Sequence, residues 1–544
     1  MRRIFVIGIC GLLLGGCGKK EDGPATPEPK KISPELQQRL DVLNAGLVVL
    51  RDLIGAAARS EVVAVRGAEQ GQLLVFRDGT QVTLACDEAA AEAPLIGVAA
   101  DGGTYYWTLA SEKEAPRLSD GAGKPCLVAD GVPVVGVDEA GYWTLTTGEN
   151  SPWRMVDRSG RPVAASDWLQ PVLFRSVAEL SGRLEIRLAD GGILSVPRVT
   201  DLSAGGTANC YVVTAPGRCL FNAKLRGNGV GDVATTGFDP RIEMTDGMKA
   251  DWLWCDREGL VSEVELDPAS GEILLTVGEG PGNAVVALLR DGAVVWSWHL
   301  WVTEAPQTVT YGNGMRFMDR NLGARGVRVG GTEAYGMYYQ WGRKDPFYGG
   351  ETTETSSTAF AEAKRLTVMN PEAAAEWKID KRTVTAAEAA AMPTTFFSAK
   401  LASGTYDWLS NPNAGLWGAA KTLNDPCPPG YKVPEVTAWE GISVGNNYVE
   451  GVSAWDDSNF GMTVTFDGHG DWYPAQGYRF HSFGSIAGLR ASTGGSGTYW
   501  SSTATARSAR YLFFRRPLTT SGGSINLTLD KDRSAGYTVR CCHE

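Results

Sequence analysis

The chain has 544 residues, and its 51 Lys and Arg against 62 Asp and Glu give a formal net charge of −11. This acidic balance leaves no basic surface for neutralising phosphates and makes nucleic acid a poor candidate partner. The length predicts several domains, while 67 Gly and 17 Trp beside only 4 His favour turn-rich β structure and argue against a histidine-based catalytic centre.

Residues 1–16 have the composition of a signal peptide. Arg2 and Arg3 precede an apolar run from Ile4 to Leu14, and small residues follow it. The run is shorter than the roughly 18 apolar residues that a membrane-spanning helix needs, and no later stretch reaches that length. We therefore expect a secreted chain.

The next residues resemble the attachment site of a bacterial lipoprotein. Leu-Gly-Gly-Cys, ending at Cys17, is similar to the lipobox, in which the cysteine is lipidated and becomes the first mature residue. The segment Lys19–Asp22 resembles the export signal of Bacteroidota surface lipoproteins. The resemblance implies a protein anchored through Cys17 in outer-membrane lipid and exposed at the cell surface. The proline-rich residues 17–34 are expected to form an extended tether.

Residues 35–60 predict a helix. Its apolar residues alternate spacings of four and three: Leu36, Leu40, Leu43, Leu47, Leu50 and Ile54. The repeat fits a short coiled coil, which would make the protein a homo-oligomer through residues 36–54. It equally fits a single amphipathic helix packed on its own domain, because the run is shorter than three heptads.

Residues 61–200 predict a stalk built from β-hairpins. Two alternating runs surround Asp78-Gly79 within residues 73–84, and the same plan recurs around Asp190-Gly191 within residues 184–196. Glycine supplies the positive φ that a two-residue turn requires. Both segments are therefore predicted to be hairpins.

An internal duplication lies between these hairpins. Two apolar runs are each followed by a Tyr-Trp-Thr-Leu tetrad: Pro94–Val98 with Tyr106–Leu109, and Pro133–Val137 with Tyr142–Leu145. Units this small bury little alone, so we expect them to stack through their tryptophans. The helix, hairpins and repeats together resemble, over residues 35–170, the N-terminal domain of a Bacteroidota polysaccharide-lyase family and of many other surface lipoproteins. The resemblance implies a stalk-like module and does not transfer lyase activity.

Residues 201–306 predict a β-sandwich of immunoglobulin-like plan. Short apolar strands alternate with turn signals: Tyr211–Val213, Ala250–Trp254, Val261–Leu266, Ile273–Val277, Ala284–Leu289 and Val294–Val302. In the last strand, alternation places Trp296 and Trp298 on one face and Trp301 on the other, unless a bulge intervenes.

Residues 307–544 form the last predicted domain. Six landmarks occur in it: Met318–Ala324, Gly336–Phe347, Asn424–Pro434, Gly477–Arg479, Tyr499–Thr503 and Val539–Cys541. In this order and spacing they resemble the Fibrobacter succinogenes major paralogous domain, a family related to C-type-lectin-like folds. The resemblance implies an α+β, lectin-like head on a chain that is otherwise mainly β. Residues 359–391, rich in Ala, Glu and Lys, predict a helical insertion.

Eight cysteines follow Cys17 and can pair outside the cytoplasm. Cys427 and Cys541 are predicted to form a structural disulfide that closes a loop of about 114 residues. Cys210 and Cys219 bracket a turn and are predicted to bridge a hairpin. The sequence has no Cys-x-x-Cys spacing, which argues against zinc or redox chemistry.

The candidate ligand site lies in residues 467–473. Exposed aromatic rings stack on sugar faces, so Trp472 and Tyr473 are the preferred candidates, with Asp467, His469 and Asp471 on the adjoining loop. Clustered carboxylates also suit calcium, although a solvated hairpin turn is the simpler interpretation, and no other cofactor or metal is expected. The Glu-Pro-Asn and Gln-Pro-Asp triplets of calcium-dependent lectins do not occur in residues 307–544, so the resemblance supplies no binding residues.

No credible catalytic constellation stands out in the sequence. Residues 441–445 match the Gly-x-Ser-x-Gly nucleophile elbow in spacing but lack its strand–turn–helix context. We therefore expect a non-enzymatic surface lipoprotein that binds glycan or protein ligands for adhesion or nutrient capture. The alternatives are a polysaccharide lyase, by analogy with the stalk, an oxidase resembling the formylglycine-generating enzymes, and a fimbria-associated structural subunit.

Overall fold

The structure is a computed structural model that describes residues 32–69, 71–90, 96–109, 116–119, 123–148, 151–156, 161–165, 169–180, 182–349, 352–354, 358–373, 375–490, 495–517 and 524–544. The expected signal peptide, Cys17 and nearly all of the tether lie outside these residues. The fold is mainly β, with 42% strand and 11% helix distributed over several small sheets, which confirms a mainly β chain of several parts. None of the helices that the structure describes is long and apolar enough to span a membrane.

Helix α1 (Pro34–Ala57) precedes the sheets. The hydroxyl of Ser33 accepts the Leu36 N–H at 3.1 Å, and Pro34 occupies the first turn, where a missing N–H costs nothing. One face of the helix is buried within the chain: Leu36, Leu40, Leu43, Leu47, Leu50, Leu53 and Ala56. These side chains share a hydrophobic cluster with the stalk strands. The structure thus shows the single amphipathic helix packed on its own domain, and the apolar seam expected to pair with another copy is occupied.

The described part of residues 61–200 forms hairpins and a short 3₁₀ helix at Val128–Asp130. Its strands are β1 (Val62–Ala68), β2 (Gly71–Phe76), β3 (Gln81–Leu84), β4 (Gly97–Asp101), β5 (Thr104–Thr108), β6 (Val134–Val137), β7 (Trp143–Thr146), β8 (Trp153–Arg154), β9 (Phe174–Leu180), β10 (Arg183–Leu188) and β11 (Ile193–Pro197). Both predicted hairpins are confirmed: β2 pairs with β3 and β10 with β11, each antiparallel. Gly79 and Gly191 in their turns have φ of +86° and +90°.

The two copies of the internal duplication make equivalent backbone hydrogen bonds. Trp107 N–H donates to Cys126 O, and Trp143 N–H donates to Val163 O, both at 3.0 Å. Both indoles are buried in the same cluster as α1. The Trp107 indole N–H donates to Gly131 O at 2.8 Å, in the segment that leads into the second unit. The two units therefore stack on a common core, as the repeat predicts.

Residues 200–302 form two facing sheets and a single turn of helix, α2 (Val233–Thr236). The strands are β12 (Thr200–Asp201), β13 (Cys210–Val213), β14 (Gly217–Asn222), β15 (Met248–Cys255), β16 (Val261–Asp267), β17 (Glu272–Val277), β18 (Gly282–Arg290) and β19 (Ala293–Val302). One sheet has the order β12-β14-β17-β16 and the other β13-β19-β18-β15, with one hydrophobic cluster between them. Trp296 and Trp298 belong to this cluster and Trp301 to the next one, as alternation predicts.

Residues 307–544 consist, where described, of short strands with two short α-helices and three 3₁₀ segments (Thr332–Ala334, Pro371–Ala373 and Val436–Trp439). The elements are β20 (Thr308–Thr310), β21 (Arg316–Met318), β22 (Tyr339–Gln340), α3 (Ala361–Leu366), β23 (Val368–Met369), β24 (Lys378–Asp380), α4 (Ala386–Ala390), β25 (Thr395–Phe397), β26 (Ala399–Lys400), β27 (Tyr406–Asp407), β28 (Tyr431–Lys432), β29 (Ser443–Val444), β30 (Asn447–Tyr448), β31 (Ser453–Asp456), β32 (Gly461–Phe466), β33 (His469–Pro474), β34 (Tyr478–Arg479), β35 (Ile486–Ala487), β36 (Ser496–Ala504), β37 (Ser508–Arg515), β38 (Ile525–Asn526), β39 (Asp530–Asp532), β40 (Gly536–Tyr537) and β41 (Cys542–His543).

The predicted helical insertion at 359–391 is wrong as a continuous element. Only α3 and α4 are α-helical among its described residues. Between them, Val368 and Met369 leave the helical conformation and pair with β15 of the preceding sheet. Pairing with a distant strand thus overrides the local helix propensity of an Ala-rich segment.

The landmark segments lie in the interior of residues 307–544. Arg540 Nε donates to Asn321 Oδ1 at 3.0 Å, and the Trp341 indole N–H donates to Ser501 O at 2.9 Å. The predicted disulfide is present, because Cys427 and Cys541 are joined at an S–S distance of 2.08 Å. The landmarks therefore mark the core of this part of the chain rather than its surface.

The predicted bridge between Cys210 and Cys219 is wrong. Both side chains are buried and carry free thiols. Cys210 lies on β13, which pairs with β19, whereas Cys219 lies on β14, which pairs with β12 and β17. The two strands belong to opposite sheets, so the cysteines are not cross-strand neighbours of one hairpin.

Candidate functional site

The predicted ligand residues lie on β33 and on the turn before it. Strands β31, β32 and β33 form a three-stranded antiparallel sheet, in which Phe466 pairs with His469 across the turn Asp467-Gly468. Both turn residues have positive φ, +48° at Asp467 and +79° at Gly468. This is the conformation of a tight two-residue hairpin turn. The segment is therefore a hairpin, with β33 alternating between the two faces of the sheet.

Asp471 and Tyr473 point into the core, which corrects the surface position expected for them. Asp471 is 3% exposed and Tyr473 0%. The Tyr311 hydroxyl donates to Asp471 Oδ2 at 2.8 Å and lies 2.6 Å from the Tyr473 hydroxyl, which also accepts the Trp439 indole N–H at 3.2 Å. These contacts satisfy both side chains internally and leave neither available to a ligand.

A buried arginine completes this polar group. Arg540 Nη1 lies 2.8 Å from Asp471 Oδ1, and the guanidinium lies 4.0 Å above the Tyr473 ring. Burial by itself would lower the pKa of Arg540, but the Asp471 carboxylate together with the Tyr473, Tyr499 and Tyr311 side chains raises that pKa above its ordinary value. The group therefore holds the β33 hairpin against the C-terminal segment.

Trp472 has the opposite orientation. It pairs with Thr463, which in turn pairs with Ala454, so these three side chains share the outer face of the sheet. Its indole lies against Gly461, where a Cβ would come within 2.5 Å of Nε1. The ring is partly exposed, whereas its indole N–H is buried and has no hydrogen-bond partner among the described residues. The outer face thus presents an aromatic ring among small side chains.

Asp467 and His469 are exposed at the turn, away from the buried carboxylate of Asp471. The two acidic residues of the predicted loop therefore do not converge on one point. Across the part of the chain that the structure describes, no group of three or more His, Cys, Asp or Glu is arranged to hold a metal ion.

A second aromatic group, which sequence reasoning missed, lies on the hairpin formed by β34 and β35. The Phe480 ring lies 5.9 Å from Phe483 at an interplanar angle of 11°, 4.4 Å from His481 and 6.3 Å from Tyr478. Tyr406 of β27 lies 4.6 Å from His481. We call these five residues the aromatic hairpin group. Four aromatic rings lie between Gly477 and Gly484, which is more than one face of a hairpin buries. This density of aromatic residues is the sequence signal that could have indicated the group.

The histidine of this group is neutral at ordinary pH. His481 Nε2 lies 3.9 Å from Asp532 Oδ2, beyond hydrogen-bond distance, and Nδ1 has no partner among the described residues. Burial, and secondarily the charge of Lys531, lowers the pKa of His481 to about 4, although Asp532 opposes the shift. The ring therefore acts as one more aromatic surface.

The residues that match the nucleophile elbow do not adopt its strand–turn–helix arrangement. Ser443 lies on β29, which pairs with β30 in a two-stranded hairpin rather than leading into a helix. Val444 at its tip is 70% exposed. Neither family models, nor curated proteins, nor solved structures gave a match to this chain.

Proposed function

We propose that this chain is a lipid-anchored surface protein whose C-terminal part binds carbohydrate without chemical conversion. The anchor rests on the lipobox-like residues that end at Cys17 and on the export-signal-like segment behind it. The net charge of −11 repels acidic polysaccharides at low ionic strength, which favours neutral glycans as ligands.

The proposed molecule has three parts, which follow one another along the chain. Residues 35–200 form the stalk, residues 201–306 an immunoglobulin-like spacer, and residues 307–544 a lectin-like head. Two facing sheets with a shared core support the spacer. The interior position of the landmark segments and the Cys427–Cys541 disulfide support the head.

The observation that carries the binding function is the outward orientation of Trp472. Large aromatic side chains normally gain stability by full burial. Trp472 instead remains partly exposed on the outer face of the β31–β33 sheet, beside Thr463 and Ala454, which are too small to cover it. Such a ring offers an apolar plane to the C–H face of a sugar, while its neighbours leave space for the sugar's edge.

Replacing Trp472 with alanine tests the proposal. We expect Trp472→Ala to weaken binding by roughly tenfold or more, as truncation of a tryptophan anchor does at many interfaces. Trp472→Phe, which keeps an aromatic plane, should retain most of the affinity. The measurement is affinity electrophoresis of the full chain through gels containing soluble glucan, mannan or xylan.

Trp252 provides the matched control, because it is also a partly exposed tryptophan on a strand but lies on β15, outside the proposed site. Trp252→Ala should migrate like the unmodified chain. A Trp472→Ala protein that still binds as tightly as the Trp252→Ala control contradicts the assignment. If none of the polysaccharides retards the unmodified chain, the proposed carbohydrate-binding function is wrong.

A further inference from the structure

Phe483 is the most exposed aromatic side chain in the described part of the chain, at 60%. Burying a phenylalanine side chain stabilises a fold, so a ring held in water forgoes that stabilisation. Its neighbour Phe480 is partly buried and nearly parallel to it, with an interplanar angle of 11°. The two rings are therefore stacked in offset parallel planes, and Phe483 is the ring that faces solvent at the tip of the hairpin.

The tip is held rigidly from below. Gly484 N–H donates to Phe480 O at 2.8 Å, and the fully buried Arg479 donates to Gly484 O at 2.5 Å. The Ser398 hydroxyl donates to His481 O at 2.6 Å. A surface whose backbone is already ordered loses little conformational entropy when a ligand binds. The exposed ring is therefore a preorganised feature of the fold.

Polar groups lie close to the stacked rings of the aromatic hairpin group. The hydroxyls of Tyr406 and Tyr478 make no hydrogen bond within the described residues, and they are not among the buried unsatisfied atoms, so water reaches them. The partly exposed Asp532 carboxylate lies 3.9 Å from His481 Nε2. The site thus combines an apolar plane with donors and an acceptor at its edge.

This combination fits a sugar better than a protein. A stable protein interface buries about 1,200 Å² or more around a hydrophobic centre. Within the aromatic hairpin group, Phe483 is the only large apolar residue that is mainly exposed. A pyranose ring needs a much smaller contact area. It requires one apolar plane for its C–H face and hydrogen-bonding groups for its hydroxyls.

We propose that the aromatic hairpin group is a second carbohydrate-binding surface, on which the exposed ring of Phe483, packed on Phe480, stacks against a neutral sugar ring and the Tyr406 and Tyr478 hydroxyls bond its edge. This proposal rests on the carbohydrate-binding function proposed above and adds a site on a different sheet from that of Trp472. Two sites on one chain would also raise the avidity for a polysaccharide, since the second contact forms within an existing complex.

The test uses Phe483→Ala in the full chain, with the same glucan, mannan and xylan gels. We expect a loss of affinity of roughly fivefold or more for at least one polysaccharide that retards the unmodified chain. Val444→Ala is the matched control, because Val444 is a similarly exposed apolar residue at the tip of another hairpin in the same part of the chain. Tyr406→Phe, which removes only a hydroxyl, should weaken binding by a smaller factor.

The outcomes separate the two proposals. Binding that is reduced by Phe483→Ala but not by Val444→Ala supports the second surface. Binding that is reduced by Trp472→Ala and unaffected by Phe483→Ala overturns the second surface and leaves the proposed function intact. An unmodified chain that none of the polysaccharides retards overturns both. Because Phe483 is largely exposed, its truncation should leave the melting temperature unchanged, which excludes misfolding as the cause.

Discussion

At the scale of single residues, a buried histidine links the two sheets of residues 200–302 to residues 307–544. The amide nitrogen of Asn283 donates to Asp256 Oδ2 at 2.9 Å and to Gly323 O at 3.0 Å, so its oxygen accepts from His299 Nε2 at 2.9 Å. The other ring nitrogen lies 3.4 Å from the Tyr339 hydroxyl. This pattern assigns the neutral tautomer with its proton on Nε2.

Protonation of His299 should destabilise the fold. Burial lowers the pKa of His299 to about 3, below its unfolded value near 6.5. Its contribution to stability is therefore complete above pH 6.5 and is lost as the pH falls toward 3. Between pH 7.5 and pH 4 the loss is on the order of 3 kcal/mol. We expect His299→Gln to show a correspondingly weaker dependence on pH, measured by urea denaturation followed through tryptophan fluorescence.

The quantity to compare is the change in the free energy of unfolding between pH 7.5 and pH 4, because His299→Gln also removes packing at both pH values. His469→Gln, at an exposed turn, is the control and should keep the pH dependence of the unmodified chain. Equal pH dependence in His299→Gln and the unmodified chain would mean that His299 does not titrate in this window.

At the scale of elements, the two stalk repeats share a surface arrangement as well as a buried tryptophan. In the first unit, the Arg117 guanidinium lies 4.0 Å above the Tyr106 ring and 2.5 Å from Asp101 Oδ2. The second unit repeats this with equivalent residues: Arg154, 4.8 Å above the ring of Tyr142, and its ion-pair partner Asp138. In each unit the arginine ties a later strand to the preceding hairpin.

Each of these arginines should therefore contribute a similar, small amount of stability. Exposed ion pairs and surface cation–π contacts contribute little to stability, because water and salt screen both. We expect Arg117→Ala and Arg154→Ala to lower the melting temperature by similar amounts, and the double variant to show the sum, because the sites share no side-chain contact. The measurement is thermal unfolding followed by circular dichroism.

Arg66 serves as the control for this pair, because it is exposed on β1 and forms no ion pair with any described residue. Arg66→Ala should leave the melting temperature unchanged. If only one of the two substitutions lowered the melting temperature, the two units would be equivalent in structure but not in their contribution to stability.

At the scale of the whole molecule, ion pairs join the β-hairpins of residues 61–199 to the two sheets of residues 200–302. Arg77, after β2, pairs with Asp267 and, at 2.9 Å, with Glu272, at either end of the β16–β17 turn. Arg218 of β14 pairs with Glu61 at 2.6 Å. A cleft of about 570 Å³ opens between the two parts beside these pairs. Apolar packing at the junction is small, with Val199, Leu220 and Leu274 as its buried residues.

Salt should therefore loosen this junction more than it loosens either part. Half-buried ion pairs weaken as ionic strength rises, whereas the hydrophobic clusters on either side do not. We expect Arg77→Ala combined with Arg218→Ala to increase trypsin cleavage at Arg59 and Arg198 several-fold, assayed by limited proteolysis and mass spectrometry. The unmodified chain in 1 M NaCl should approach the same cleavage pattern.

Arg382→Ala is a suitable control, because Arg382 forms an ion pair with Asp380 far along the chain from the junction. Its cleavage at Arg59 and Arg198 should match that of the unmodified chain. A double variant with unchanged cleavage would show that these ion pairs do not hold the junction closed.

Much of the fold was predictable because it depends on local pattern. The Asp-Gly hairpins, the stacked repeats and the opposite faces of Trp298 and Trp301 all follow from turn chemistry and strand alternation, which act between near neighbours. The same alternation places Asp471 and Tyr473 on one face of β33 and Trp472 on the other. These properties are determined by the sequence itself.

Only the tertiary structure decided which face of each element is covered. Alternation separates Trp472 from Tyr473, but the buried side is chosen by Arg540 and Tyr311, which come from distant segments. The same dependence on distant strands separates Cys210 from Cys219, places the leucines of α1 against the stalk and leaves Phe483 in water. Burial is a property of what the rest of the chain brings to a surface, and a local pattern contains no information about that.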